Sequence, residues 1–388
     1  MRLAECMNRL GTESAFDVLA RAKALEAQGR EIIHLEIGEP DFDTPDHIVE
    51  AAVRALRDGH THYTPAAGVP ELRQAIAQHI SSSRGVEVYP EQVVVTPGAK
   101  PIMFFTMLAL LGPGVEAIYP NPGFPIYESV ICFTGATPVA LPLREEKNFR
   151  FDADEFRSLV SDRTQLIILN SPQNPTGGVL TRQDLEVVAE VAQERGIMVL
   201  SDEVYEQILY EGEHFSILTL PGMGPHTILL DGFSKTYAMT GWRLGYGVMP
   251  VELAEQITKL MVNSNSCTAA FTQQAGIAAL KGPRDATQGM VAAFRERRDV
   301  IVNGLNQIPG FRCAQPAGAF YVFPNVEDTG MSSKAVADYL LEEAGVAVLG
   351  GAGFGRYGEG YIRLSYANSI ANIQRALERI EQAGRTLL

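Results

Sequence analysis

Between residues 92 and 232 the chain alternates short β-branched runs with helical patterns, and that rhythm leaves few folds open. The runs are QVVVT (92–96), EAIY (116–119), TPVAL (137–141), QLIILN (165–170), IMVLSD (197–202) and TILLDG (227–232). Amphipathic stretches separate them; in 184–195, Leu185, Val188, Ala189 and Ala192 recur at helical spacing. Strand–helix alternation of this kind predicts an α/β fold with a largely parallel sheet. Most of the runs are apolar throughout, as expected when helices cover both faces. Beyond residue 250 the pattern changes. Helical periodicity holds from 251 to about 306, followed by AFYVF (319–323), VAVL (346–349) and YIRLSYA (361–367). This predicts a smaller α+β unit, with the helical segment 16–28 packed against it. There are no repeats, low-complexity tracts or Gly/Ser linkers, so a shared long helix is expected between the two units.

A length of 388 residues exceeds the ~250–300 at which one hydrophobic core stops growing, so two domains are expected. Forty-six acidic against 32 basic residues give a net charge of −14. Such a surface repels phosphate backbones and anionic lipid, which argues against nucleic acid and membrane partners. Cys6, Cys132, Cys267 and Cys313 lie far apart with no CxxC pair, a pattern of a reducing, cytoplasmic compartment. No metal site is expected, and the close pair His60 and His62 reads as a solvated turn. The opening MRLAECMNRLGTESAF lacks an apolar core, so no signal peptide is expected. The longest apolar stretch, 101–111, falls short of the ~20 residues of a spanning helix.

Of seven lysines, Lys235 stands apart. It follows the apolar run 227–232 within DGFSKTYAMTGWRLGYG (231–247), with Ser234, Thr236 and Arg243 nearby. Taken alone it reads as a strand-end lysine reaching solvent. A desolvated lysine flanked by a cation is also the kind that forms a Schiff base with an aldehyde. Three other polar turns follow apolar strands: SDEVYEQ with Asp202 and Tyr205, SPQNPTGG with Asn174, and PGAK (97–100). Ligands of open α/β sheets bind at such strand ends. Asp202 taken singly also fits a helix cap, and Asn174 fits turn chemistry.

Together these segments resemble the class I/II aminotransferase family of pyridoxal-phosphate (PLP) enzymes, fold type I, in its aspartate-aminotransferase-like subgroup. The resemblance rests on Gly232, Ser234, Lys235, Gly241, Arg243, Leu244 and Gly245, and on SPQNPTGG, SDEVYEQ, YTPAAGVPELRQAI and YIRLSYA in the same order. It spans about 32–367. It implies a large domain (45–285) with a mostly parallel seven-stranded sheet flanked by helices, and a small α+β domain built from both chain ends (1–44 and 286–388).

The resemblance also implies roles. Lys235 carries the PLP and then serves as general base, and Asp202 keeps the pyridine nitrogen protonated. Asn174 and Tyr205 hydrogen-bond the phenolic oxygen. Gly98, Ala99 and Lys100 open a helix whose N–H groups suit a phosphate, joined by Arg243 and Ser234. Tyr63, in HYTPAAG, reaches the phosphate of a neighbouring subunit, which implies a homodimer. Phe124 stacks on the pyridine ring, or else is a core phenylalanine after a turn. Arg363 grips the substrate α-carboxylate with its fork, and Gly38, in IGEPDF, meets the same group.

GFGRYG (353–358) satisfies G-x-G-x-x-G, yet a strand-like run follows it rather than a helix, so it reads as a flexible loop beside Arg363. The implied reaction is ping-pong transfer of an amino group from an L-amino acid to a 2-oxo acid, 2-oxoglutarate first among them. Alternatives are a PLP-dependent β-lyase or related synthase on the same fold and, more remotely, a non-catalytic sensing module. Residues 13–16 (Glu13, Ser14, Ala15, Phe16) with Met107 and Leu108 supply no lysine or arginine. A dedicated clamp for a second carboxylate is therefore expected to be missing, with broad or apolar donors preferred.

Overall fold

The structure, a computed structural model, describes Met1 and residues 3–387. The N-terminal part contributes α1 (Ser14–Glu26), β1 (Ile33–His34), α2 (Asp46–Arg57) and α3 (Pro70–Arg84). Next come β2 (Val93–Thr96), α4 (Lys100–Leu110), β3 (Glu116–Asn121), α5 (Ile126–Thr134) and β4 (Thr137–Pro142). The alternation continues through α6 (Ala153–Leu159), β5 (Thr164–Asn170), α7 (Arg182–Arg195), β6 (Met198–Asp202), β7 (Thr227–Gly232) and β8 (Gly245–Val248). Local chemistry sets several of these boundaries. Thr181 and Asp184 form a reciprocal capping box at the start of α7, and Gly196 ends it in the left-handed region.

The central sheet has seven strands in the order β2-β8-β7-β6-β5-β3-β4. β8 runs antiparallel to both its neighbours, and the other pairings are parallel. Side-chain alternation splits β5 between two cores. Leu166 and Ile168 pack with Ile102 of α4 and Ile257, while Ile167 and Leu169 pack with Leu185 and Val188 of α7. β8 was not among the expected strands, because GYGV carries two glycines, which strands disfavour. The glycines answer a steric demand. A Cβ on Gly245 would lie 2.4 Å from the amide nitrogen of Ala99, so only glycine lets β8 pass the loop that leads into α4.

Three helices follow: α8 (Val251–Ser264), α9 (Ala270–Lys281) and the long α10 (Asp285–Leu305). The remainder is β9 (Tyr321–Val322), α11 (Ser333–Tyr339), β10 (Val346–Ala347), β11 (Leu349–Gly350), β12 (Ile362–Ser365) and α12 (Ile370–Leu387). The expected strand at 346–349 is thus two short ones. β10 pairs with β1, β11 with β12, and Val348 turns between them. Ile33 and Leu35 from the N-terminal segment share one core with Phe294, Ile301, Tyr321, Leu364 and Ile373, so both ends of the chain build this smaller unit. GFGRYG forms two 3₁₀ turns. They are held in place where Gly123 N–H donates to Phe354 O and Tyr357 N–H donates to Asn121 Oδ1.

Candidate active site

The carboxyl ends of β2, β5, β6 and β7 open on one side of the sheet, onto a cavity of about 880 Å³. Ala99, Lys100, Phe124, Asn174, Asp202, Tyr205, Ser234, Lys235, Arg243, Gly38 and Arg363 all line it. Eleven positions spread over 325 residues of sequence therefore converge on a single space. Gly98 lies just behind, where its Cβ would fall 2.2 Å from Arg243 Nη2. Its φ of +82° is also one that side chains avoid. Tyr63 is outside the cavity and 89% exposed.

Lys235 projects into the cavity, and its ammonium donates to Gly38 O at 2.5 Å. Burial, outweighing the pull of Glu39, lowers its pKa to about 8. Asp202 ends β6 with its carboxylate buried; burial raises it to about 6 against a 2.6 Å hydrogen bond from Tyr127 O–H. Tyr127 in turn packs edge-on against Phe124. Tyr205 O–H lies 2.8 Å from Tyr321 O–H, and Tyr321 supports Arg363, whose guanidinium carbon sits 4.5 Å above its ring. A Cβ on Gly38 would strike the Tyr321 hydroxyl, so this glycine is fixed by packing.

Arg363 is buried on β12. Its Nη1 donates to Asn174 Oδ1 at 3.0 Å and its Nη2 to Glu36 O, whereas its buried Nε has no partner among the described residues. Asn174 Oδ1 is thus committed to the arginine, and its Nδ2 is left to donate.

Lys100 sits at the expected helix start. Its backbone opens α4 at the strand end, but its ammonium pairs with Glu13, at the start of α1, and lies 5.3 Å above the Phe124 ring. The cation is thus aimed across the cavity at the N-terminal segment. Met107 is a fully buried core residue off the cavity wall, so its side chain does not face a substrate there. Sequence reasoning missed Tyr127, Tyr321 and the pairing of Glu13. Tyr127 had one usable signal, its i+3 spacing from Phe124 within NPGFPIY.

A buried carboxylate, a half-buried amine, a helix start beside an arginine, and a second arginine with an unpartnered buried donor form one polar set. That set suits a cofactor with a phosphate, an aldehyde and a basic ring nitrogen, together with a carboxylate substrate. The fold and this cavity define a class of α/β enzymes with a cofactor site at the carboxyl ends of the sheet strands. The family model of aminotransferase class I and II matches residues 30–380, and the chain belongs to that family. It is a PLP-dependent transaminase. It is 43% identical to an aspartate aminotransferase of Pyrococcus horikoshii, covering 95% of this chain and 93% of the relative. An aromatic-amino-acid aminotransferase of Thermococcus litoralis is 41% identical, with 92% of each chain covered. The solved aspartate aminotransferase of Thermus thermophilus with maleate superimposes with a TM-score of 0.94 at 38% identity, covering 99% of this chain and 100% of that one.

Proposed function

We propose that the enzyme moves the amino group of an L-amino acid to 2-oxoglutarate in two half-reactions on one site. The observation that carries this reading is the meeting of Lys235, Asp202 and Arg363 in one cavity, each supported by its own buried partners. Bound pyridoxal phosphate supplies an electron sink for the negative charge left when a substrate Cα–H bond breaks. The protein supplies the rest. Lys235 would hold the cofactor's aldehyde and would take the proton from the substrate Cα; an amine brought down to about 8 suits that work. Asp202, oriented by Tyr127, holds the ring nitrogen in its protonated form. Asn174 Nδ2 and Tyr205 O–H would donate to the phenolic oxygen, and Phe124 would cover the ring face. The N–H groups of Gly98, Ala99 and Lys100 hold the phosphate with the Arg243 guanidinium and the Ser234 hydroxyl. Arg363 binds the substrate α-carboxylate through its free Nε edge, with Asn174 and Gly38 beside it.

The active unit is a homodimer in which Tyr63 reaches the partner's phosphate. Its exposure supports this, as do the exposed Val49, Val53 and Leu56 at helical spacing on α2. Residues 45–285 form the large domain, and 1–44 with 286–388 the small one. The enzyme is cytoplasmic, in keeping with four free thiols.

Donor range follows from the Glu13–Lys100 pair. Glu13 neutralises the Lys100 ammonium at the cavity wall, so the cavity accepts apolar side chains. A dicarboxylate can still take Lys100 from Glu13. Relatives named for aspartate and for aromatic amino acids, and one solved with maleate, support both uses. Lys100→Ala is expected to raise KM for aspartate and 2-oxoglutarate about tenfold, leaving leucine and phenylalanine within about twofold. Steady-state kinetics with each donor checks this. The reaction type is tested by product analysis. Transamination gives equal amounts of glutamate and a new 2-oxo acid, whereas release of pyruvate and ammonia from one substrate would indicate a lyase.

A further inference from the structure

Outside the residues assigned above, one charged cluster bridges two walls of the cavity. His34, on β1, has a carboxylate at each ring nitrogen. Nδ1 lies 2.7 Å from Glu36 Oε1 and Nε2 lies 3.0 Å from Glu26 Oε1. A neutral imidazole has a single N–H, so with both carboxylates ionised the two contacts are hydrogen bonds only when the ring is doubly protonated. Glu36 is fully buried, and its second carboxylate oxygen has no partner among the described residues. A buried carboxylate without a cation is costly, so this site calls for a positive ring.

The two carboxylates lie behind the cavity, on segments that line different walls of it. Glu26 closes α1, the helix that places Ala15, Phe16 and Leu19 on the wall. Glu36 begins the segment 36–38, whose carbonyls take the Arg363 guanidinium at Glu36 O and the Lys235 ammonium at Gly38 O. We propose that His34, as an imidazolium held between Glu26 and Glu36, is a positioning residue that fastens α1 to the segment backing Arg363 and so sets the affinity for the substrate carboxylate. This rests on the reading of Arg363 as the carboxylate site.

The charged groups facing the ring, among the described residues, are Glu36 on its own segment and Glu26 on α1. Lys23, also on α1, pairs with the other oxygen of Glu26 at 2.8 Å, and Arg363 lies beyond the Glu36 peptide. The Glu36 hydrogen bond raises His34 above its ordinary value; burial opposes this, and Glu26 adds to the rise. The sign follows. The bridge is complete below the raised pKa and is lost as pH increases through it, above the range where an ordinary histidine titrates.

The test is steady-state kinetics of the holoenzyme with L-aspartate and 2-oxoglutarate from about pH 6 to about pH 9. In the wild type, KM for aspartate should rise about tenfold across the titration of His34, with kcat changing less than about twofold. His34→Gln should start with the raised KM at the acid end, so the ratio of variant to wild-type KM falls from about ten toward one. Titration of Lys235 is common to both enzymes and cancels in that ratio. Should His34→Gln fail to fold, Glu26→Gln removes only the α1 side and should give the same trend. A ratio near one at every pH overturns the proposal. Arg363→Gln separates the two claims. A raised KM at every pH sustains the carboxylate reading whatever His34 does, and an unchanged KM sinks that reading and the proposal with it.

Discussion

Lys235→Ala is expected to lower turnover about 10⁴-fold or more, because one amine both tethers the cofactor and moves the substrate proton. The fold should persist. Its ammonium makes one hydrogen bond, to Gly38 O, and no ion pair among the described residues. Circular dichroism and the melting temperature of the cofactor-free protein should therefore match the wild type, while the yellow colour of the loaded enzyme is lost. Methylamine added to the variant should restore part of the proton transfer, since the missing group is a small amine in a cavity with room for it. Retained turnover in the variant would remove Lys235 from the mechanism.

Asp202→Asn is the second large effect, with kcat expected to fall about 10³-fold. The amide keeps the shape and can still accept from Tyr127, but it carries no charge to hold a ring nitrogen protonated. The wild-type carboxylate, buried and raised to about 6, must be ionised to do so. The cofactor-free protein should therefore bind pyridoxal phosphate more weakly as pH falls through about 6, and the asparagine variant should lack that dependence. Fluorescence titration with the cofactor at a series of pH values measures both curves. Parallel curves for the two proteins would show that Asp202 does not act through its charge.

What the sequence made legible follows a physical rule. Polar turns placed directly after apolar strands carry their position with them, so Asn174, Asp202 and Lys235 are legible in the sequence as residues at the carboxyl ends of the strands. Partnerships across long stretches of chain left no local trace. Tyr127 meets Asp202 across 75 residues, Tyr205 meets Tyr321 across 116, and Glu13 meets Lys100 across 87. Lys100 shows the limit well: its backbone sits where the helix start was expected, but a long flexible side chain follows the carboxylate available to it. In the fold, β8 escaped notice because its glycines serve the close passage past Ala99 rather than strand propensity. AFYVF shrank to the two residues of β9 because the ladder with β12 is only that long there.

Borohydride reduction of the purified, cofactor-loaded enzyme, followed by proteolysis and mass spectrometry, addresses the covalent assignment without relying on turnover. Reduction should fix one pyridoxyl phosphate per chain, on the peptide containing Lys235. A label on Lys100 or any other lysine, or none at all, would contradict it.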